Sequence, residues 1–351
     1  MTVLVTGGAG YIGRVIAEEL DREGFEIVLA DDLRYGNRLL VNKKAKHVCM
    51  DVSNADSLDK IFTHYNIDSV IHLAQDTVKP VKLTQARSQY RKNIISGISL
   101  IEAMHRHNVT DILFSSTAEV YGIPTALPIS EEHPVNPVNA YGESNLVFEQ
   151  ILEMYQKVYG LEYVIFRYFN VAGASKSVGE RHPSHFIDEV LNAIFENRYS
   201  IPIYGVDFPT KDGSFLRDYV HVIDIAKAHI LALKNIRHLN RKIYNLGTET
   251  GSTVLDVINT ATEVTGRHIC IELRKRRPED IPRLVLDSSR AEKELGWKPK
   301  NSSLANIINT DWEWLQNYKS VVPATFHQNS FQKVSVVSSR PQTSTLKGLS
   351  N

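Results

Sequence analysis

The sequence predicts an α/β protein with one large, doubly wound parallel sheet and a smaller α/β lobe. Its N-terminal half alternates short β-branched apolar runs with longer amphipathic stretches, which is the pattern of strands and helices in such a sheet. The first apolar run ends at Thr6 and is followed directly by glycines at positions 7, 8, 10 and 13 and then by a helical pattern. Strand, glycine turn and helix in this order form the first unit of a doubly wound fold.

The glycine turn predicts a binding site for a dinucleotide. The run from Gly8 to Gly13 matches G-x-G-x-x-G, and glycine lets the backbone turn sharply and approach a bound group closely. The free N–H groups and the positive dipole end of the following helix attract a pyrophosphate. An ordinary tight turn is also glycine-rich, but a position between a strand and a helix is the context of a Rossmann-type site. The expected cofactor contacts here are Gly7, Gly10, Tyr11, Ile12 and Gly13.

An acidic residue marks the expected adenosine end of the cofactor site. The apolar run 26–30 ends at Asp31, about twenty residues after the glycines. A carboxylate at this place accepts hydrogen bonds from the ribose hydroxyls of NAD, whereas the 2′-phosphate of NADP would meet like charge. We include the following Asp32 in the site, and the nearby Arg34 keeps NADP open as an alternative.

The remaining elements of the N-terminal half follow in the order that this fold requires. Strands are predicted at 47–50, 69–73, 111–114 and 163–168, and helices at 57–65, 89–107 and 139–158. Because ligands bind beyond the carboxyl ends of parallel strands, residues at these ends should line one crevice. They are Thr6, Asp31, Asp51, Ala74, Thr117 and Asn170.

The second half has a more mixed pattern. We expect helices at 185–197, 223–234 and 253–265, strands around 203 and at 243–246, and a capped helix that ends at Gly296. We assign residues 1–172 to a NAD-binding Rossmann-type domain, to which 220–250 returns. Residues 173–219 and 251–319 are assigned to a substrate-binding lobe. The stretch 320–351 is rich in serine and threonine and lacks acidic residues, which predicts a disordered tail.

Composition excludes several classes of function. The 351 residues carry forty basic and forty acidic side chains, so the total charge indicates neither nucleic acid nor an anionic membrane as a partner. Cys49 and Cys270 lie in apolar runs, where two buried, reduced thiols are expected. We find no metal-ligand spacing, no signal peptide and no run long enough to span a bilayer, and we expect a cytoplasmic protein.

Several segments carry a resemblance to a known family. Thr117 ends a strand, Tyr141 opens a helix, and Asn145 follows four residues later. This arrangement resembles the active site of the extended short-chain dehydrogenase/reductase family, which has a Ser or Thr and a Tyr-x-x-x-Lys pair. The segments 167–174, 212–213, 217–222, 244–247 and 276–280 are similar to those of the UDP-glucose 4-epimerase family within it, and the similarity runs from residue 2 to about 318.

The resemblance implies an NAD-dependent epimerase that interconverts UDP-glucose and UDP-galactose through a 4-keto intermediate. It implies that Tyr141 removes the O4 proton of the sugar and that Thr117 hydrogen-bonds O4. The further cofactor contacts that it implies are Asp51, Val52, Leu73, Ala74, Asn93, Tyr141, Asn145 and Tyr168. The implied UDP-sugar contacts are Thr117, Asn170, Arg217, Arg277 and Asp280.

Asn145 departs from the family pattern, which has lysine at this place. Asparagine can still donate a hydrogen bond to the nicotinamide ribose, but it has no charge that would lower the pKa of Tyr141, so we expect impaired catalysis. Two alternatives stay open: another nucleotide-sugar epimerase or decarboxylase of this fold, and a low-activity or non-catalytic protein that binds NAD and a UDP-sugar. Ala118 replaces the central acid of the dehydratases, which disfavours dehydration. The identity of the sugar and a homodimer through the helices 89–107 and 139–158 are also open.

Overall fold

The computed structural model describes residues 1–34, 44–77, 83–180, 185–276 and 281–321. A seven-stranded, fully parallel sheet forms its centre and confirms the predicted Rossmann-type fold class. In spatial order its strands are β11 (Ile243–Asn245), β6 (Glu162–Tyr168), β5 (Asp111–Thr117), β4 (Ser69–His72), β1 (Thr2–Thr6), β2 (Glu26–Asp31) and β3 (Lys46–Cys49).

Helices pack on both faces of this sheet. Side chains of β1 alternate between the two layers, because Val3 and Val5 belong to one core cluster and Leu4 to the other. The first cluster includes residues of α1 (Tyr11–Arg22), α6 (Val222–Asn235) and α8 (Ser289–Leu295). The second includes residues of α2 (Ala55–His64), α3 (Leu83–Arg106) and α4 (Ala140–Tyr159).

The second half of the chain also forms a smaller unit with its own core. Its helices are α5 (Phe186–Phe195), α7 (Val254–Thr265) and α9 (Leu304–Val321). Three small sheets accompany them: β7 (Asn170–Ala172) with β10 (Tyr219–His221), β8 (Ser200–Tyr204) with β13 (Cys270–Arg274), and β9 (Leu216–Arg217) between β12 (Ser252–Thr253) and β14 (Arg283–Leu284). The strand β11 joins the large sheet beside β6, so residues 243–245 lie in the first unit.

Helix caps explain why several predicted boundaries agree with the structure. The Asn139 side chain caps α4 by accepting a hydrogen bond from the N–H of Gly142 at 2.8 Å, and Gly160 ends the helix in a left-handed conformation. Thr253 and Asp256 form a capping box at the start of α7, which ends at Gly266.

Two expectations are wrong. The helix α3 begins at Leu83 rather than at Gln89, and the prediction missed its first turns because they are mostly polar and carry no sustained apolar period. Cys49 and Cys270 are free thiols but exposed, since β3 is the edge strand of the large sheet and β13 pairs on one side only. The predicted tail beyond residue 321 lies outside the described residues, as do Arg277 and Asp280. Within the described ranges, no helix is long and apolar enough to cross a membrane.

Candidate active site

The glycine turn forms a tight cradle between β1 and α1. Gly7 has a φ of +72°, and a Cβ atom there would lie 2.8 Å from the carbonyl carbon of Leu73. A Cβ at Gly13 would lie only 2.4 Å from the carbonyl oxygen of Gly7. The helix α1 begins after Gly10, and none of the described side chains caps this end. The first-turn N–H groups of α1 therefore have no capping side chain, which fits the binding of a dinucleotide pyrophosphate at this end.

Asp31 lies at the carboxyl end of β2, beside the glycine turn. Its carboxylate accepts hydrogen bonds from the N–H groups of Ala9 at 3.0 Å and Leu33 at 2.8 Å. Burial raises the pKa of Asp31 above its usual 3.8, although these two hydrogen bonds oppose the rise. A small pocket beside this carboxylate is lined by Leu33 and Val48, which the sequence analysis missed. The guanidinium of Arg34 pairs with Asp32.

Asp51 and Val52, two cofactor contacts that the resemblance implies, have different surroundings. The carboxylate of Asp51 accepts hydrogen bonds from the N–H and the hydroxyl of Ser53, at 2.9 and 2.8 Å. The side chain of Val52 is buried in the core between the sheet and α3, so only its backbone is available to a ligand.

The residues after β4 are attached to both the glycine turn and α4. The N–H of Leu73 donates to the carbonyl of Thr6 at 3.1 Å, and that of Ala74 approaches the Thr6 hydroxyl at 3.4 Å. Asn93 in α3 accepts from the N–H of Asp76 at 2.8 Å and donates to the hydroxyl of Ser144 at 3.2 Å. Asn93 therefore connects the loop after β4 with the first turn of α4.

The start of the helix α4 packs against the segment that follows β5, since a Cβ at Gly142 would lie 2.7 Å from the carbonyl oxygen of Glu119. Tyr141 and Asn145 on this helix are therefore close to the strand end that carries Thr117. The Thr117 hydroxyl accepts a hydrogen bond from the N–H of Glu119 at 3.1 Å, which holds the side chain at the end of the strand. Asn145 is 1% exposed, and its amide nitrogen donates to the backbone carbonyl of Tyr141 at 2.9 Å. Its Oδ1 atom is buried and has no donor among the described residues. The amide thus has a buried acceptor at Oδ1, and its nitrogen has a second N–H besides the one bonded to the Tyr141 carbonyl.

The electrostatic environment of Tyr141 favours its neutral form. Burial raises the pKa of Tyr141 well above its usual 10, and the neighbouring Tyr168 and Glu119 raise it further. The Asn145 side chain opposes this rise, and none of the described groups that act on this pKa is a cation. Burial also raises the pKa of Tyr168 to about 12.

Arg217, the expected ligand of the UDP pyrophosphate, ends the short strand β9. Its guanidinium stacks over the ring of Phe215 at 4.5 Å and donates to the carbonyl of Ile281 at 2.8 Å. The carboxylate of Asp218 accepts instead from the N–H and hydroxyl of Thr248, so its hydrogen bonds anchor a different loop. The amide of Asn170 in β7 donates to the carbonyl of Asp218 at 3.2 Å, and Asp218 directly precedes β10.

A second arginine, Arg276, directly precedes Arg277 in the sequence. Its guanidinium lies 5.4 Å from the ring centre of Phe208 and 3.9 Å from the carboxylate of Asp207. The described residues contain no cluster of histidine, cysteine or carboxylate side chains that could hold a metal ion.

Comparisons with known proteins agree with this geometry. The model of the NAD-dependent epimerase/dehydratase family matches residues 3–247. The chain belongs to this family. A UDP-glucose 4-epimerase from Lactobacillus helveticus is 41% identical over 323 residues, which cover 91% of this chain and 98% of the relative. The resemblance inferred from the sequence is thus confirmed.

Solved structures support the same assignment. The UDP-glucose 4-epimerase from Brucella ovis in complex with NAD is 34% identical, with a TM-score of 0.85 over 89% of this chain and 97% of that one. The enzyme from Bifidobacterium longum in complex with NAD⁺ and UDP is 34% identical, with a TM-score of 0.83 over 90% and 98% of the two chains. As a member of this family, the chain is an epimerase-type enzyme rather than a structural protein.

Proposed function

We propose that this chain binds NAD and catalyses the interconversion of UDP-glucose and UDP-galactose. The observation that carries the proposal is that two arrangements lie at the carboxyl ends of strands in one parallel sheet. The glycine turn and Asp31, at the ends of β1 and β2, fit a dinucleotide, while Thr117 ends β5 and the start of α4 with Tyr141 packs beside it. The complexes of relatives with NAD and with UDP support the choice of both ligands.

The residues of the chain act on the C4 hydroxyl of the sugar. NAD, when bound, supplies the acceptor for the C4 hydride and later returns it. Thr117 hydrogen-bonds O4 and orients it toward Tyr141. Tyr141 in its ionised form takes the O4 proton as C4 becomes a carbonyl, and it returns the proton when the hydride reaches the other face of the sugar. No net oxidation or reduction results.

Other residues hold the two ligands. Gly7, Gly10 and Gly13 with the first turn of α1 bind the NAD pyrophosphate, and Asp31 binds the adenosine ribose. Arg217 binds the UDP pyrophosphate, because a guanidinium matches phosphate oxygens in geometry and charge. We assign Arg277 and Asp280 to the UDP site from the resemblance alone. Position 118 is a buried alanine, so this chain lacks the acid that the dehydratases carry there.

Asn145 is the observation that favours a second candidate, a protein that binds both ligands but turns over slowly. Tyr141 is half-buried, its partial burial raises the pKa of its hydroxyl, and none of the described groups that set this pKa is a cation. The retained Thr117, Tyr141 and Arg217 favour the active enzyme. Incubation of the purified protein with UDP-galactose, followed by chromatographic detection of UDP-glucose, distinguishes the two. Denaturation and mass spectrometry of the same preparation tests for bound NAD.

We also propose a homodimer formed through α3 and α4. Four apolar side chains on these helices are exposed: Ile95, Met154, Val158 and Tyr159. Their exposure on two neighbouring helices is typical of a surface that pairs with a second copy. Val158→Glu should convert a dimer into a monomer in light scattering. A protein that is monomeric without this change contradicts the proposal.

A further inference from the structure

A buried carboxylate joins the three elements that carry the candidate active-site residues. Glu149 of α4 accepts a hydrogen bond from the hydroxyl of Ser116 in β5. It also pairs with the guanidinium of Arg167 in β6, with Nε 3.1 Å from Oε1 and Nη2 bonded to Oε2. The side chains of Glu149 and Arg167 are each 4% exposed. One carboxylate thus bonds to two neighbouring strands at their carboxyl ends.

Each anchored position lies next to a residue of the crevice. Ser116 directly precedes Thr117, and Arg167 directly precedes Tyr168. Glu149 follows Tyr141 by two helical turns, about 12 Å along the axis of α4. A small tilt of α4 about its contact with the sheet would therefore move the Tyr141 hydroxyl relative to Thr117.

The network continues to the far side of Thr117. The guanidinium of Arg167 lies 4.9 Å from the ring centre of Tyr121, which ends the short 3₁₀ helix Ala118–Tyr121 directly after Thr117. The Tyr121 hydroxyl donates to Oδ1 of Asn245 in β11 at 2.8 Å. Thr117 is therefore held between two anchored segments, one on each side along the chain.

We propose that Glu149 is a positioning residue, whose pair with Arg167 holds the helix of Tyr141 against the strands of Thr117 and Tyr168. The catalytic consequence rests on the proposed function, while the positioning itself does not. A pair whose role is only to stabilise the fold would leave turnover unchanged once an apolar pair of similar size replaced it. If the pair instead sets the distance between reacting groups, the apolar replacement would lower turnover. A displacement of about 1 Å can lower a rate by up to about a hundredfold.

The test uses full-length protein and four sets of substitutions. Glu149→Gln should lower kcat by roughly tenfold to a hundredfold, with the KM for UDP-galactose and the NAD content unchanged. Glu149→Asp, which keeps the charge but shortens the side chain, should recover part of kcat. The double variant Glu149→Leu/Arg167→Met should melt near the wild type and still have a low kcat. The matched control is Glu162→Gln, because Glu162 pairs with Lys242 at the opposite end of β6 and should affect only the melting temperature.

Hydrogen exchange provides a readout that does not depend on turnover. The first two turns of α4 should exchange faster in Glu149→Gln and in the double variant than in the wild type and the Glu162→Gln control. A double variant with kcat within about twofold of the wild type, or unchanged exchange in α4, overturns the proposal. Lack of epimerase activity in the wild type would contradict the proposed function, and the exchange rates would then decide the positioning role separately.

Discussion

Replacing Asn145 with lysine tests whether this position limits the activity of Tyr141. Asn145 lies one helical turn after Tyr141, on the same face of α4, and its side chain acts on the pKa of the Tyr141 hydroxyl. Burial raises that pKa above 10, so only a small fraction of the tyrosine is ionised near neutral pH. We expect Asn145→Lys to increase kcat because an ammonium group favours the ionised form.

The size of the gain follows from the electrostatics of the site. A unit charge about 5 Å from the tyrosine oxygen, at an effective dielectric constant of about 20, contributes roughly 3 kcal/mol. This corresponds to a decrease of about two units in the pKa of Tyr141 and up to about a hundredfold more tyrosinate at neutral pH. The positively charged nicotinamide ring of NAD supplies part of this field in the wild type, so the wild-type activity should be low rather than absent.

The assay is turnover of UDP-galactose against pH for the wild type, Asn145→Lys and Asn145→Met. Because the base acts when ionised, kcat should rise with pH in every variant, and the rise should begin about two units lower with lysine. Because burial holds the pKa of the wild-type Tyr141 above 10, the gain should persist across the range up to about pH 10. Methionine extends the side chain without charge and should give no gain. A flat or reduced rate in Asn145→Lys from about pH 6 to about pH 10 would refute the reasoning, because the missing charge would then not limit turnover.

Three further predictions concern binding and stability. Asp31→Ala should weaken NAD binding by roughly tenfold to a hundredfold in calorimetry, because hydrogen bonds to a charged group are lost. The surface control Asp21→Ala should leave the NAD affinity unchanged. Equal affinities of Asp31→Ala and the wild type would disprove the ribose assignment. Arg217→Ala should weaken UDP binding at least about tenfold with unchanged NAD content, and unchanged UDP affinity would remove Arg217 from the site. Burial raises the pKa of Asp311 well above 3.8, so the folded state holds its proton more tightly and ionisation costs stability as the pH rises. Asp311→Asn should therefore raise the melting temperature more at about pH 8 than at about pH 5. The control Glu313→Gln, on the same helix, should show no such difference between the two pH values. A larger rise at about pH 5 for Asp311→Asn would contradict burial of Asp311 as the cause.

Local sequence chemistry was sufficient for most of the fold. The apolar strands, the capping asparagine before α4 and the glycine after α7 are short-range signals, and the structure has elements at these places. The start of α3 and the exposure of both cysteines depend on tertiary contacts. Residues 83–88 are mostly polar and carry no sustained apolar period. Whether the apolar run at Cys49 lies inside a sheet or at its edge depends on strand order, which local sequence does not determine.

The sequence predicts those parts of the candidate site in which a residue type, at its place in the fold, has one characteristic chemical role. Glycines in a turn at the start of a helix, with an aspartate at the end of the next strand, are by themselves enough to indicate a dinucleotide. The direction of the Asn145 amide was not predictable, because its nitrogen turns back to a backbone carbonyl of its own helix. The pair of Glu149 and Arg167 was missed for a different reason. Its partners are eighteen residues apart and meet only when α4 packs on β6.

The fate of the hydrogen at C4 tests the central claim most directly. We propose to incubate the purified protein with UDP-galactose that carries deuterium at C4 and to analyse the UDP-glucose by mass spectrometry and NMR. Transient oxidation at C4 by bound NAD predicts product that keeps its deuterium at C4, because the same hydride returns to the sugar. Product with deuterium exchanged for solvent hydrogen, or no UDP-glucose from protein that contains NAD, would contradict the account.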